Sequence, residues 1–415
     1  MKLLRRVALW LLCCSALLFA FLGYTMLCKP ESRGLFFAHD KTLAQPQPLP
    51  LPTPVIVDDA WSQWRDVNIP TLADTYFIQH LDEDTRRLCA GIYGGIASFQ
   101  EEIILPEPVD VDTLSKIMWL ISYDCPELFQ ISGDYSYYVR ENMQDMAISV
   151  KPSYVMDEEA YNAAIARVTA LLSGWINDAG ALNAFETEKL LYENLIKTCA
   201  YGENVTHAGS VYGALILGSA RCEGYAKSLC MAMRAAGFES LILTGEARTS
   251  SSDKEARVEK HAWNVTKING NYYQLDATWD DPDGALPFDT SYAYFNLTDE
   301  EMYRSRTLDE IYGAWPLPVC DDASLSYHAQ SGSLITVAQD PGPILYALLD
   351  DSYYSEKNYI IGKFETELQM SEFKKNIKDW IKSWYRDKKF ASGSYDSVTY
   401  NDSLVFTIFN LSYDE

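Results

Sequence analysis

The chain has 415 residues, 48% of them hydrophobic, which is enough apolar material for a sizeable core and for more than one module. A net charge of −24 and a pI near 4.6 argue against nucleic acid as a partner, because phosphate binding needs clustered Lys and Arg. The acid is spread along the chain rather than blocked into a tail, the pattern of an acidic, solvated surface.

Lys2, Arg5 and Arg6 precede an apolar run over residues 7–27. At 1.5 Å rise per residue such a run reaches about 30 Å, enough to cross a bilayer core. It ends in Tyr24-Thr25-Met26-Leu27, a poor exit for signal cleavage, and Leu27 before Cys28 spoils a lipoprotein signal. Residues 1–28 therefore read as an uncleaved signal anchor with an extracytoplasmic body, or a secreted body if the segment is cleaved. In the linker 29–60, prolines at 46, 48, 50, 52 and 54 favour an extended polyproline II spacer.

Residues 61–180 read as an accessory α+β module. Helices are expected over 82–102 and 112–123, the second with Leu114, Ile117, Met118 and Ile121 on one side. A strand at 128–131 closes at Gly133-Asp134, a hairpin joins 135–140 to 146–151 through Glu141-Asn142, and a helix spans 157–177.

Residues 181–300 read as a catalytic module. A helix over 185–198 leads in, and 201–219 is loop-like and then small and apolar. A second helix over 222–236 ends at Gly237. Strands follow at 239–247, 260–268 and 271–277, the last two joined by Asn269-Gly270, the strongest short hairpin signal. The stretch 248–259 reads as a loop and 299–307 as a short polar helix or loop. A connecting segment, 301–331, leads to a small C-terminal α+β module, 332–415. There, strands at 334–337 and 359–364, a helix over 371–385 and a hairpin over 397–411 carry no assignable chemistry.

Three segments of the catalytic module bear chemistry: Ala220-Arg221-Cys222-Glu223-Gly224-Tyr225-Ala226, His261-Ala262-Trp263-Asn264, and Tyr273-Gln274-Leu275-Asp276-Ala277-Thr278-Trp279-Asp280. Thiol, imidazole and carboxylate are the parts of a cysteine acyl-transfer site: a base activates the thiol, and a third group fixes the base's tautomer. Cys222 falls at a predicted helix start, where partial positive charge favours thiolate. In the hairpin, Ile268 pairs with Asn271, so Trp263 pairs with Asp276. His261 and Asp276 then share a face on diagonal positions, and a one-residue slip would separate them.

Nine cysteines include no C-x-x-C pair and no disulfide framework. The five histidines lack metal-ligand spacing, and no nucleotide-binding motif occurs, so neither metal nor cofactor is expected. Five Asn-x-Ser/Thr sequons, at 204, 264, 296, 401 and 410, read as chance matches; a glycan on Asn264 would block the cleft.

The three segments, in this order and spacing, resemble the transglutaminase-like superfamily, relatives of papain-type cysteine proteases, over roughly residues 186–296, and most of all its bacterial, envelope-associated members. The resemblance implies an α+β fold with the nucleophile helix packed on an antiparallel sheet, flanked here by accessory α+β modules. It implies Cys222 as nucleophile, His261 as general base and then acid, and Asp276 as the orienting carboxylate. The Cys222 N–H would serve the oxyanion, with Tyr212 as candidate second donor. Trp263 and Trp279 either line the cleft or fill the hairpin core, and Asp280 and Asp281 cap a turn before Pro282. The expected activity is cleavage or transfer of peptide or isopeptide amides, hydrolysis favoured over cross-linking, with cell-wall peptides or envelope proteins as substrates. The alternative is a catalytically silent scaffold that binds peptides or envelope partners.

Overall fold

The computed structural model describes residue 72 and residues 75–414, except 141–142, 203–206, 249–256, 283–287, 289, 391, 396 and 401–402. The anchor and the proline-rich linker lie outside the described residues. Among the described residues no helix is long and apolar enough to cross a membrane.

The N-terminal part pairs two helices with a three-stranded antiparallel sheet. Helix α1 (Glu83–Ala97) starts where Asp82 accepts from Thr85 N at 2.9 Å. It stops before residue 102 because the chain enters strand β1 (Ile103–Asp110). Pro106 and Pro108 hide this strand in the sequence, but it is an edge strand whose register breaks between Ile104 and Val109, where proline is tolerated. Helix α2 (Val111–Asp124) is capped by Asp110. Strands β2 (Ile131–Arg140) and β3 (Met143–Tyr154) form the hairpin, and the sheet order is β1-β3-β2. The strand expected at 128–131 starts at its last residue instead. Gly133, at φ 90°, does not end it; the ladder steps over an irregularity between Ile131 and Tyr135.

Helices α3 (Glu158–Ala179), α4 (Ala184–Thr198) and α5 (Cys222–Ala235) share one apolar cluster, with Leu172, Leu191, Leu195, Tyr225 and Leu229 fully buried. A capping box between Asn183 and Glu186 sets the start of α4. The small apolar stretch before α5 forms a π-helical turn at Gly213–Leu217. Helix α5 backs onto an antiparallel sheet of β4 (Ser240–Arg248), β5 (Val258–Ile268), β6 (Asn271–Leu275) and β7 (Arg306–Leu308), in the order β6-β5-β4-β7. Asn264 Nδ2 donates to the Ala226 carbonyl at 2.8 Å and pins β5 to α5. Asn264 and Asn296 are both buried, so a glycan on either would need the core opened.

The stretch 299–307 holds a short capped helix, Asp299–Met302, and then β7, which pairs with β4. Gly245 permits that pairing. A Cβ there would lie 1.8 Å from the Thr307 carbonyl oxygen, so any side chain would push β7 off the sheet.

The C-terminal module contains β8 (Leu334–Ile335), α7 (Pro341–Tyr354), β9 (Tyr359–Phe364), α8 (Glu367–Lys388), β10 (Ser397–Tyr400) and β11 (Val405–Phe409), with sheet order β8-β9-β11-β10. Helix α7 escapes the sequence reading because Asp340-Pro341-Gly342-Pro343 looks like a turn. In the fold Asp340 caps the helix and Pro341 takes its first position.

Candidate active site

Cys222 is the first residue of α5 and is 9% exposed. Arg221, at the cap position, is extended and makes no side-chain cap, so the positive end of the helix falls on the cysteine. Gly224 lets the preceding chain lie close: a Cβ would stand 2.5 Å from the Ala208 oxygen and 2.6 Å from the Ala220 Cβ.

The hairpin has the expected register, from Ile268 opposite Asn271 to Asn264 opposite Leu275. The ladder stops one pair short of Trp263 and Asp276 because the chain turns there into helix α6 (Ala277–Asp280). Asp276 makes that turn. Its Oδ1 accepts from Thr278 N at 3.1 Å and Trp279 N at 3.2 Å. Its Oδ2 accepts from His261 Nε2 at 2.6 Å and from Arg306 Nη2 at 2.5 Å. An ionised carboxylate only accepts, so Nε2 carries the hydrogen. The imidazole also hydrogen-bonds the Cys222 side chain, for which Nδ1 is the nitrogen left.

The electrostatics follow from this packing. Burial alone would strip the proton from His261, but the Asp276 charge and the hydrogen bonds to Asp276 and Cys222 overcome it and raise its pKa to about 9. Burial likewise opposes ionisation of Asp276, yet His261 and Arg306 together hold its carboxyl well below the usual range. Asp280, four residues on, is buried too, and burial pushes it up to about 7; its partners are neutral donors, Tyr192 Oη at 2.7 Å and the N–H groups of Ala293 at 2.7 Å and Tyr294 at 3.0 Å. These bonds tie Asp280 to α4 and to the 290–294 segment, and the Asp281 carboxylate accepts from the Tyr225 hydroxyl, so both side chains reach across to other elements instead of capping the turn before Pro282.

Arg306 was not singled out in the sequence. Its side chain is 0% exposed, with the guanidinium 4.1 Å from the Trp279 ring centre and 4.4 Å from that of Tyr294. Gly245 inside the β4 pattern was the available signal, since an isolated strand glycine marks close backbone approach.

The aromatic candidates separate. Trp279 is half-buried, 5.6 Å from the imidazole between ring centres, and covers it from one side. Trp263 is hairpin core, 1% exposed, with Nε1 donating to Gln274 Oε1 at 2.7 Å. Tyr212 stacks 6.3 Å from Phe129 and lies edge-on to His207 at 5.1 Å, with that cluster and not with the His261–Asp276 pair. Among the described residues no group of three or more His, Cys, Asp or Glu is placed to hold a metal ion.

Residues 175–277 match the Transglutaminase-like superfamily. Over these residues the chain is similar to a transglutaminase-like core. The matched segment runs from the last turns of α3 through β6, so Arg306 stands outside it. Solved structures similar to the chain include three. One is a cysteine protease candidate from Cytophaga hutchinsonii, with 13% identity, 35% of this chain and 61% of that one covered, and a TM-score of 0.23. Another is a TGase, with 10% identity, 58% and 59% covered, and a TM-score of 0.25. The third is the periplasmic domain of TgpA from Pseudomonas aeruginosa bound to ethylmercury, with 16% identity, 34% and 59% covered, and a TM-score of 0.23. The chain spans about three fifths of the length of each. No curated protein matches it.

Proposed function

We propose that the transglutaminase-like core is a thiol enzyme that cleaves, or transfers, peptide or isopeptide acyl groups through a thioester on Cys222. The reading rests above all on one observation: a buried His261–Asp276 pair at 2.6 Å whose imidazole also hydrogen-bonds a cysteine at a helix start. In this mechanism the Cys222 sulfur attacks the amide carbonyl, and the backbone N–H of Cys222 donates to the oxyanion. The C–N bond then breaks as His261 passes its proton to the departing amine. Water, activated by the neutral imidazole, attacks the thioester; the acyl group leaves as a carboxylic acid, and the sulfur and imidazole regain their starting protonation. An amine in place of water gives transfer. Hydrolysis is the favoured outcome, because water is the default acceptor and, among the described residues, no feature of the site selects an amine. Asp276 holds the ring, and Arg306 acts through Asp276 as a positioning residue. The anchor read at residues 1–28 supports an extracytoplasmic body at the cell membrane, and cell-wall peptides or envelope proteins as substrates.

The rate of iodoacetamide labelling at Cys222, followed against pH by mass spectrometry, tests this. Labelling at pH 6–7 is expected to exceed that of an ordinary exposed thiol about tenfold or more, and to lose that excess in His261→Ala. Slow labelling with the same pH profile in both proteins would replace the enzyme with a peptide-binding scaffold.

A further inference from the structure

A groove of about 560 Å³ runs between the N-terminal part and the start of α5. Tyr123, Phe129 and Tyr135 form one wall and Arg221, Glu223 and Lys227 the other. Arg221 and Glu223 are the neighbours of Cys222 in sequence, and Tyr123 packs against the small apolar cluster that contains Cys222, so the groove lies next to the start of α5, with the residues flanking Cys222 in its lining.

The charges in this groove do not cancel. Both Glu223 oxygens are engaged: Oε1 accepts from Tyr123 Oη at 2.6 Å, and Oε2 accepts from Arg221 Nε at 2.9 Å and Nη2 at 2.5 Å. Lys227, one helical turn further along the same face of α5, stands 5.0 Å from the Tyr123 ring centre, half-buried; burial lowers its pKa, and the Glu223 charge, which it shares with Arg221, opposes that. Of the described residues lining the groove, Arg221, Glu223 and Lys227 are the ones charged at neutral pH, which leaves one net positive charge. His207, also in the lining, adds none, because burial holds its pKa below the ordinary value. This local sign opposes that of the chain, which carries −24 overall. A cation in a partly enclosed, low-dielectric cleft attracts an anion more strongly than one on an open surface.

We propose that Lys227 recognises a carboxylate of the peptide substrate, so that the enzyme selects acyl groups bearing an acidic function beside the scissile amide. The inference rests on the thiol-enzyme reading and names its substrate class. Five residues of helix put Lys227 about 7.5 Å along the axis from Cys222 and about 140° around it, an axial span of roughly two extended residues. The recognised carboxylate therefore sits on the residue that supplies the scissile carbonyl or on its immediate neighbour.

Two alkylating agents of nearly equal size test this on the full chain: iodoacetate, which carries a carboxylate next to the reactive carbon, and iodoacetamide, which is neutral. The measured quantity is the ratio of their rates at Cys222, read from the labelled peptide at pH 7. The ratio is expected to exceed that of glutathione and to fall toward it as salt is raised. It should drop about fivefold in Lys227→Met and be kept in Lys227→Arg. A ratio no higher than that of glutathione would overturn the inference without any variant. So would an unchanged ratio in a Lys227→Met protein whose circular dichroism matches the parent. Failure of the enzyme reading is separate: it appears as slow iodoacetamide labelling that ignores His261→Ala, whatever the ratio.

Discussion

The two four-stranded sheets described in this chain differ in the polar side chains they bury among their apolar ones. In the C-terminal sheet, Ile360, Phe364, Phe406 and Ile408 meet Phe373, Ile377 and Trp384 of α8 in an apolar, largely aromatic core; its buried Lys363 points away, to an ion pair with Glu301 at 2.5 Å. The central sheet buries Leu241, Leu243, Trp263 and Val265 as well, but beside them His261, Asn264, Gln274 and Arg306 are buried polar side chains, and Asp276 closes the row. Apolar burial stabilises a fold with no demand on geometry beyond shape, whereas buried charges must each find a partner or cost several kcal/mol. The contrast separates a sheet that supplies stability from one that organises reactive groups.

Asp276→Asn removes the anion from the polar row of the central sheet. With the carboxylate gone, burial of His261 is opposed only by Cys222, so the ring is expected to lose its proton at lower pH than in the parent. Amide turnover should fall by about 10²–10⁴-fold, and its alkaline limb, near pH 9 in the parent, should move to lower pH. Full activity would remove Asp276 from the site. Phe406→Ala probes the other sheet. A loss of about 3–5 kcal/mol in urea unfolding is expected, with the iodoacetamide rate at Cys222 unchanged in the folded protein. A slowed thiol there would mean that the two sheets are coupled. Arg306→Met has the smallest expected effect, about tenfold on turnover. It removes the cation that shares Asp276 with the imidazole, so the alkaline limb should move to higher pH. A purely structural role would lower turnover at every pH and leave the limb in place.

The legible parts of the molecule are those set by local rules. Asn269-Gly270 fixes the hairpin, and a side-chain period of two then puts His261 and Asp276 on one face, so the pair could be read without coordinates. Helix starts at Asp82 and Asp157 were visible because their side chains bind their own first turns, whereas the Asn183 cap went unread and the helix it starts was placed from residue 185. Arg306 was hidden because β7 is three residues long, and a single arginine in a polar stretch has no pattern; its meaning comes from the antiparallel pairing with β4. The prolines of β1 and the Asp-Pro-Gly-Pro start of α7 mislead in the same way, since each obeys a local rule that the edge of a sheet or a helix cap permits.

Asp276 uses one oxygen to cap the Ala277–Asp280 turn and the other to hold the base. The tightness with which the imidazole keeps its proton is thereby tied to the path of the chain just after the strand. A substrate or an inserted residue that tilts this turn would reach the chemistry as an altered proton affinity, without touching the ring. Natural or engineered variation in that stretch would tune reactivity and recognition together rather than one at a time.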